Sequence, residues 1–286
     1  MRLINCSFLL FALVLSVAAH AAPAPREMTF QVMRAAPSSC EPSCPEWIYA
    51  QGEIVGRSVS QFEKTIKRAG RVPPLVIIQS GGGDVRAAMA LGRSIRAHKM
   101  KVAVGFAMPL VCAAGDDVCL GLMKPHGMVR GLVPSVPSYC ASACTLVLAA
   151  GVERMADGAS VIGTHQILNK PIFQRIFYRE KYLLINGKKK IISKTITKRE
   201  TFNGKPTTKM TPKFDAELER YVKAMGVDKQ FLSFYSKAPP SGIYKMTPKE
   251  RLATRIITTE TGPDKLAAAS RCSGAEPPET CVILKY

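Results

Sequence analysis

The chain has 286 residues, 47% of them hydrophobic, which is enough to bury the core of one large domain or of two small ones. Its 40 Lys and Arg residues against 21 Asp and Glu give a formal net charge of +19, which suits an anionic partner without identifying it. No apolar run reaches the roughly 18–20 residues that a membrane-spanning helix needs, so the sequence argues against a helical integral membrane protein.

Residues 1–21 have the pattern of a cleaved export signal. Arg2 is the only charge, an apolar stretch runs from Phe8 to Ala19, and Ala19-His20-Ala21 forms an A-x-A cleavage site. We therefore expect cleavage near Ala21 and a soluble mature protein that is periplasmic or secreted. Residues 22–45 would then form a linker with one strand and a cysteine loop.

Eight of the nine cysteines lie beyond this segment, and an even number in an exported chain indicates disulfides. They are Cys40, Cys44, Cys112, Cys119, Cys140, Cys144, Cys272 and Cys281. The first two and the last two lie in short loops and should form local pairs. The middle four should pair among themselves, in any of three combinations, and tie the Gly/Pro-rich segment 107–138 to the turn around Ser142. A zinc site formed by these four with His126 is the alternative, but because their spacings match no standard zinc knuckle we expect no metal.

The first half of the chain alternates between strand and helix patterns. We expect helices at 58–69 and from Val85 to about His98, and strands at 28–34, 47–54, 74–79 and 101–106. The segment 74–79 (PLVIIQ) is a nearly continuous apolar run, which is typical of a strand covered on both faces. The alternation predicts an α/β domain with largely parallel strands.

A glycine turn, Ser80-Gly81-Gly82-Gly83-Asp84, connects the third strand to its helix. Such a turn can cradle a phosphate, although this one matches neither a Walker motif nor GxGxxG. It can also form an oxyanion hole, because glycine lets a backbone N–H approach a substrate carbonyl closely. A plain tight turn is the third interpretation.

The strongest candidate for chemistry is a serine between small residues. Ser142 lies between Ala141 and Ala143 at the start of an apolar helix, and a polar turn followed by a short strand at 159–163 leads to His165. A serine in the first helical turn lies near unpaired N–H groups, and a histidine ending a neighbouring strand could take its proton. The alternative is a helix-capping serine and an unrelated strand-end histidine.

Residues 170–213 carry 13 Lys or Arg residues against Glu180 and Glu200. Asn186-Gly187 is a strong turn signal between two strand patterns, so we expect a basic β-hairpin insertion within residues 170–210, with Asn203-Gly204 as a further turn signal. Two interpretations stay open. The hairpin is either a solvated ribbon whose lysines keep it soluble or a face that binds anions.

The rest of the chain returns to helix patterns. We expect a helix at 212–225, a short helix capped by Asp228, a helix that starts at Thr247, and a strand at 255–259. Residues 263–286 should form an irregular tail held by its disulfide.

Taken in this order, VIIQSGGGDV, CASACTLVLAAG and VIGTHQ resemble segments of the proteolytic subunit of the Clp protease and of its relatives in the crotonase-like superfamily. The whole mature chain is similar to a group of periplasmic Clp-protease-like proteins, which would share the Cys40–Cys44 loop that runs into Glu46-Trp47-Ile48. The resemblance covers roughly residues 48–259. It implies an α/β domain over residues 46–262, built of stacked ββα units and interrupted by the hairpin. It also implies a homo-oligomer, since such folds usually form rings, although the hairpin replaces the region that pairs their subunits.

The same resemblance implies a catalytic site. Ser142 would be the nucleophile, His165 the general base, and the N–H groups of Gly83 and Ala143 the oxyanion hole. Gly81 replaces the family's proline, and the segment 107–138 lies where it could cover or block the site.

The family's third catalytic residue falls near residues 235–238, which contain no carboxylate. Asp228 or Asp215 would then supply the orienting carboxylate from a neighbouring turn, or the site is a dyad. We expect an exported serine hydrolase that acts on peptide or acyl bonds without a cofactor. The alternative is a non-catalytic binding protein whose basic hairpin docks on anionic lipid, polysaccharide or a partner. Nucleic acid is not expected as a partner, because export removes it and the hairpin has few interleaved stacking aromatics.

Overall fold

The computed structural model describes residues 26–35, 44–110 and 129–265. The expected export signal and the expected C-terminal tail from residue 266 lie outside the described residues. So do His126 and five of the eight cysteines that follow residue 21, namely Cys40, Cys112, Cys119, Cys272 and Cys281. Within the described ranges no helix is long and apolar enough to cross a membrane.

The predicted α/β class is confirmed. Five α-helices within the described ranges are α1 Ser58–Ala69, α2 Val85–Ala97, α3 Cys144–Ala149, α4 Pro212–Ala224 and α5 Pro248–Ala253, and a 3₁₀ helix covers Lys229–Lys237. The strands there are β1 Thr29–Ala35, β2 Glu46–Gln51, β3 Leu75–Gln79, β4 Lys101–Val104, β5 Met108–Pro109, β6 Val129–Leu132, β7 Tyr139–Ala141, β8 Arg154–Ala156, β9 Val161–Thr164, β10 Ile172–Ile185, β11 Lys188–Asn203, β12 Tyr244–Lys245 and β13 Thr259–Glu260.

The main sheet has the strand order β13-β8-β4-β3-β2-β1-β6-β5. Its strands β2, β3, β4, β8 and β13 pair in parallel, as expected, while β1 pairs with β2 antiparallel. Strand β3 is covered on both faces. Val76 and Ile78 pack towards the helices, and Leu75 and Ile77 pack into a smaller cluster with Trp47. The continuous apolar run therefore reflects two-sided burial.

A second, three-stranded sheet has the order β12-β9-β7, and its strands β7 and β9 are parallel. The carboxyl ends of parallel strands meet at the same edge of a sheet. Ser142 follows β7 and His165 follows β9, so the topology brings both residues to one edge. The Ser142 N–H donates to the Gly163 carbonyl at 2.8 Å and fixes this junction.

The sequence prediction was wrong for the segment after Gly151. A polar turn was expected, but Arg154–Ala156 forms a buried strand between β4 and β13. The strand begins with an arginine, so the sequence lacks the apolar pattern by which a buried strand is recognised. Arg154 is 3% exposed, and its guanidinium donates to the carbonyls of Gly151, Met225 and Arg255 at 3.0–3.2 Å.

Two arginines hold the C-terminal end of the serine helix α3. Arg96 donates to the carbonyls of Ala150 (2.7 Å), Gly151 (3.0 Å) and Met225 (3.0 Å), and Arg154 shares the last two. The last carbonyls of a helix lack partners within it and carry partial negative charge, so cations there are favourable. Burial, with Arg96 and Arg255 nearby, lowers the pKa of Arg154 to about 10, which still leaves it charged at neutral pH.

We expect Arg96→Met and Arg154→Met each to lower the free energy of unfolding by about 1–3 kcal/mol, the usual cost of losing hydrogen bonds to a charged group. The double variant should lose more than the sum, because each single variant leaves one donor on the carbonyls of Gly151 and Met225. Denaturant unfolding monitored by circular dichroism measures this. Arg68→Met, on the exposed face of α1, is the control. If the loss in free energy of unfolding of the double variant equals the sum of the two single losses, the two arginines do not act on shared carbonyls.

The predicted basic hairpin is confirmed. Strands β10 and β11 pair antiparallel from Ile172↔Asn203 to Ile185↔Lys188, which makes the hairpin longer than the strand patterns suggested. Asn186 and Gly187 have φ values of 49° and 71°, as a two-residue hairpin turn requires. The further turn signal at Asn203-Gly204 closes the base of this hairpin, where the Gly204 N–H donates to the Pro171 carbonyl at 2.7 Å.

Candidate functional site

Ser142 lies in a strained turn between strand β7 and helix α3. Its φ is +55°, in the left-handed region that residues other than glycine seldom adopt. A serine on a sharp strand-to-helix turn presents its hydroxyl outward, as nucleophiles of hydrolases often do. The residue is partly exposed, and its Oγ has no hydrogen-bond partner within the described part of the chain. The hydroxyl is therefore available to a substrate.

Buried hydrogen bonds hold the carbonyl of Ser142. It accepts from Thr145 Oγ1 at 2.7 Å and from the Thr145 N–H at 3.1 Å. Thr145 Oγ1 in turn lies 2.7 Å from the hydroxyl of Tyr235, which burial keeps neutral by raising its pKa. A strained backbone persists only where its surroundings over-determine it, and this network does so for Ser142.

A disulfide encloses the same turn. Cys140, in β7, pairs with Cys144, the first residue of α3, and both are completely buried. This pair belongs to one of the three combinations left open, and in it these two cysteines do not tie the segment 107–138 to the turn, so that part of the expectation was wrong. The physical reason is the chain reversal at Ser142, which brings their Cα atoms to 5.3 Å, a distance suited to a disulfide.

Paired sulfurs are not thiolates, so Cys140 and Cys144 cannot serve as zinc ligands. Across the described ranges, no group of three or more His, Cys, Asp or Glu side chains is arranged to hold a metal ion. Cys44 is also disulfide-bonded, and its partner lies outside those ranges.

The glycine turn packs directly against the serine turn. Ser80 forms a parallel bridge with Cys140: its N–H donates to the Tyr139 carbonyl at 3.1 Å, and its own carbonyl accepts from the Ala141 N–H at 3.0 Å. Gly82, with φ +108°, lies closest to the site. A Cβ at Gly82 would stand 2.8 Å from Ser142 Cβ, so only glycine fits. Gly82 could not be singled out from the sequence, since a run of three glycines does not tell which one needs to be glycine.

Two backbone donors near the serine are unengaged. Neither the Gly83 N–H nor the Ala143 N–H has an acceptor among the described residues. Gly83 is held in place because the peptides on both sides of it pair with Ile54: the Gly82 carbonyl accepts from the Ile54 N–H, and the Asp84 N–H donates to the Ile54 carbonyl, each at 2.8 Å. Free N–H groups on preorganised backbone are what an oxyanion hole requires.

His165 follows β9 and is partly exposed. Its Nδ1 lies 2.9 Å from the Gln166 carbonyl, and the Gln166 N–H donates to the Ala238 carbonyl at 2.9 Å. A carbonyl only accepts, so in the neutral ring this contact places the proton on Nδ1 and leaves the lone pair on Nε2. A backbone carbonyl thus holds the ring where a carboxylate was sought. No hydrogen bond joins His165 to Ser142 in the described structure.

The two candidate carboxylates have contacts elsewhere. Asp228 Oδ1 caps the 3₁₀ helix by accepting from the Gln230 N–H at 2.7 Å, and Asp215 lies exposed in the first turn of α4. The described contacts bring neither one to His165. The segment 235–238 does lie beside the histidine, through the Ala238 contact with Gln166, but it supplies backbone there.

A cleft of about 560 Å³ opens beside the glycine turn. It is large enough for a short extended segment of a substrate. Its walls come from the glycine turn, the start of β1, the end of β2 and the first residue of β7. They are Arg26, Glu27, Thr29, Gln51, Gly52, Glu53, Gly81, Gly82, Gly83 and Tyr139.

Comparison with known proteins gives similarity to solved structures only. No protein-family model and no curated protein matches the chain. A serine-to-alanine mutant of the 1510-N membrane-bound stomatin-specific protease has 16% identity and a TM-score of 0.40, over 78% of this chain and 82% of its own. A lysine-to-alanine mutant of that protease in complex with a substrate peptide has 16% identity and a TM-score of 0.36, over 73% of this chain and 71% of its own. A probable enoyl-CoA hydratase from Mycobacterium tuberculosis has 10% identity and a TM-score of 0.39, over 84% of this chain and 78% of its own. At these values the similarity says nothing about chemistry, and the α/β class rests on the sheets described above.

Proposed function

We propose that this protein is a serine hydrolase that cleaves peptide or acyl bonds, with Ser142 as its nucleophile. One observation carries the proposal. Ser142 is held in a left-handed turn with an unengaged hydroxyl, and the adjoining backbone offers two unengaged N–H groups. A helix-capping serine would instead bond its hydroxyl to the backbone of the first turn, and Ser142 does not.

The reaction follows from these groups. Ser142 Oγ attacks the substrate carbonyl while Nε2 of His165 takes the hydroxyl proton. The oxygen that becomes negative accepts hydrogen bonds from the N–H groups of Gly83 and Ala143, each worth about 3 kcal/mol in the transition state. The imidazolium then protonates the leaving amine or alcohol, and water releases the acyl group by the same steps in reverse order.

His165 needs an orienting partner in this reaction, and the Gln166 carbonyl supplies it. The contact at Nδ1 selects the tautomer whose Nε2 can accept a proton. A carbonyl stabilises the imidazolium less than a carboxylate does, so turnover should be slow. On this proposal the hydrogen bond between Ser142 and His165 forms when substrate closes the site, since catalytic hydrogen bonds often tighten only in the complex.

We also place the mature protein in the periplasm or outside the cell, on the pattern of residues 1–21. An oxidising compartment agrees with the disulfide around Ser142.

A fluorophosphonate probe is the direct test. We expect it to label Ser142 of the mature, oxidised protein, with the modified residue identified by peptide mass spectrometry. Labelling should fall on acidification, because a protonated imidazole cannot accept the hydroxyl proton. Ser233, a serine of the 3₁₀ helix whose hydroxyl is bonded to the Gln230 carbonyl, is the internal control and should stay unlabelled. A folded, disulfide-intact protein that ignores the probe at neutral and alkaline pH would contradict the proposal.

The second candidate is a non-catalytic binding protein that uses the basic hairpin. The observation in its favour is that the contacts described for Asp215 and Asp228 leave His165 without a carboxylate. It expects no labelling at any pH and unchanged partner affinity when Ser142 is replaced.

A further inference from the structure

The β10–β11 hairpin stands apart from the rest of the fold. Its two strands form a sheet of their own, to which no other strand of the described chain is paired. At its base the Asn169↔Thr207 bridge and the hydrogen bond from Gly204 to Pro171 attach it to the domain. A lone two-stranded hairpin is only marginally stable in water, so one of this length is expected to have a partner.

The tip of the hairpin is aliphatic and exposed. Around the Asn186-Gly187 turn, five large aliphatic side chains have 47–68% of their surface in solvent. They are Leu183, Leu184, Ile185, Ile191 and Ile192. Large aliphatic side chains exposed together at one end of an element indicate a site of interaction with a protein or a membrane.

Cations surround this apolar tip. Within residues 172–203 nine Lys and Arg residues stand against two glutamates, a net of +7. Both glutamates are already paired within the hairpin, Glu180 with Lys189 and Lys194, and Glu200 with Lys198. This excess of positive charge favours an anionic partner. A second copy of the hairpin is unfavourable, because it would place two strongly positive surfaces in one interface.

Apolar side chains point to both faces of the hairpin. Tyr178 and Tyr182 share one face with Lys194 and Lys189, which lie 4.0 and 4.6 Å from the respective ring centres. Phe173 and Phe202 stack on the other face, at 5.6 Å between centroids. A groove in a protein covers one face of a ribbon, whereas the interfacial region of a bilayer surrounds it. Tyrosines beside lysines are also the side chains favoured at headgroup level.

We propose that the hairpin docks the protein on an anionic lipid surface by inserting its aliphatic side chains, with the charges of Lys188–Lys190 held among the headgroups. These lysines pair across the hairpin with Ile185, Leu184 and Leu183, so their long stems reach back to the headgroups when the aliphatic side chains enter. The three pairs span about 10 Å at about 3.3 Å per residue. This length matches the depth of about 5–10 Å that interfacial segments reach. Insertion stays shallow because the outward backbone groups of both strands need water or headgroups as partners. The inference concerns where the protein works and does not depend on the chemistry of Ser142.

Insertion can be measured with an introduced tryptophan. The chain has one tryptophan, Trp47, which is 1% exposed and cannot meet lipid while the protein is folded. In a Leu184→Trp variant, bromine atoms on the acyl chains of phosphatidylcholine–phosphatidylglycerol vesicles should quench the introduced indole. Pure phosphatidylcholine vesicles should give no quenching. The parent protein, with Trp47 alone, is the background and should show none with either.

Two triple variants separate the charge from the apolar tip. Changing Lys188, Lys189 and Lys190 to Gln should weaken vesicle binding about 100-fold at low salt, from about fivefold per lysine near an anionic surface. The matched control changes Lys64, Lys67 and Arg68 on α1 to Gln, which removes the same charge from another exposed face and should change binding little.

Changing Leu184, Ile185 and Ile192 to Ser should abolish vesicle binding. The matching control changes the exposed Val72, Val152 and Leu252 to Ser and should change vesicle binding little.

Each of four outcomes would overturn the inference. An equal loss in the α1 control would mean attraction by net charge alone. Binding without acyl-chain quenching would mean a surface ion contact. Soluble polyglutamate that displaces the protein from vesicles while binding the tip tightly would indicate an acidic protein partner. Absence of binding would leave the hairpin a solvated ribbon. Fluorophosphonate labelling of Ser142 should be the same in all these variants, so the two proposals can fail separately.

Discussion

Ser142→Ala and His165→Ala should each reduce hydrolysis of an activated ester by a factor of about 10⁴–10⁶, and the double variant should lose no more than the worse single one. The two side chains act as one unit in this mechanism, because the serine is a poor nucleophile until the histidine takes its proton. Steady-state kinetics and probe labelling of the parent protein, the two single variants and the double variant measure this double-mutant cycle.

Matched variants control for damage to the fold. His98→Ala removes the other histidine of the described structure, which lies 3.2 Å from Glu63 on the surface, and should leave the rate unchanged. All variants should keep the Cys140–Cys144 disulfide and unfold at nearly the same denaturant concentration. Additive losses in the double variant would show that Ser142 and His165 do not cooperate, and a rate unaffected by Ser142→Ala would falsify its role as nucleophile.

Gly82→Val should abolish turnover and labelling, a loss of at least the 10²–10³-fold expected when one oxyanion donor is removed. Its side chain would need the space of Ser142 Cβ and of the Ala143 nitrogen, 2.8 and 2.9 Å from the ideal Cβ position. A φ of +108° also strains any residue with a Cβ.

Gly81 is the matched control for this substitution. It precedes Gly82 in the same turn, and a Cβ there would meet nothing within 4 Å. Gly81→Val should therefore retain labelling by the probe. Comparable losses in the two variants would mean that the turn tolerates no side chain at all, and that the particular approach of Gly82 to Ser142 is not the cause.

Local sequence patterns predicted an element correctly where one residue type or one hydrophobic period determines its structure. Helix α1 has the predicted bounds, Ser58–Ala69, because its apolar residues keep a helical period and Gly70 ends it in a left-handed conformation. The apolar run of β3 and the Asn186-Gly187 turn also gave the correct elements. Short elements that tertiary contacts define, such as β8 with Arg154, were missed.

The sequence pointed to side chains of the candidate site and not to the backbone around them. The catalytic roles of Ser142 and His165 stay a prediction, and the topology brings the strands that precede them to one sheet edge. The partner of His165 is a carbonyl, which every residue has, so no pattern of residue types could indicate it. The pairing of Cys140 with Cys144 depends on the positive φ at Ser142, and spacing alone does not give that angle.

On the proposed export, the disulfide around Ser142 has a consequence for the precursor in the cytoplasm. With both thiols reduced, no covalent bond opposes relaxation of Ser142 to the ordinary right-handed conformation, which would move Oγ and the Ala143 N–H together. Thiols stay reduced in the cytoplasm and are oxidised after export. On the proposed mechanism, the hydrogen bonds of Thr145 and Tyr235 would alone hold the turn in the reduced precursor, and oxidation would add the covalent restraint on the nucleophile.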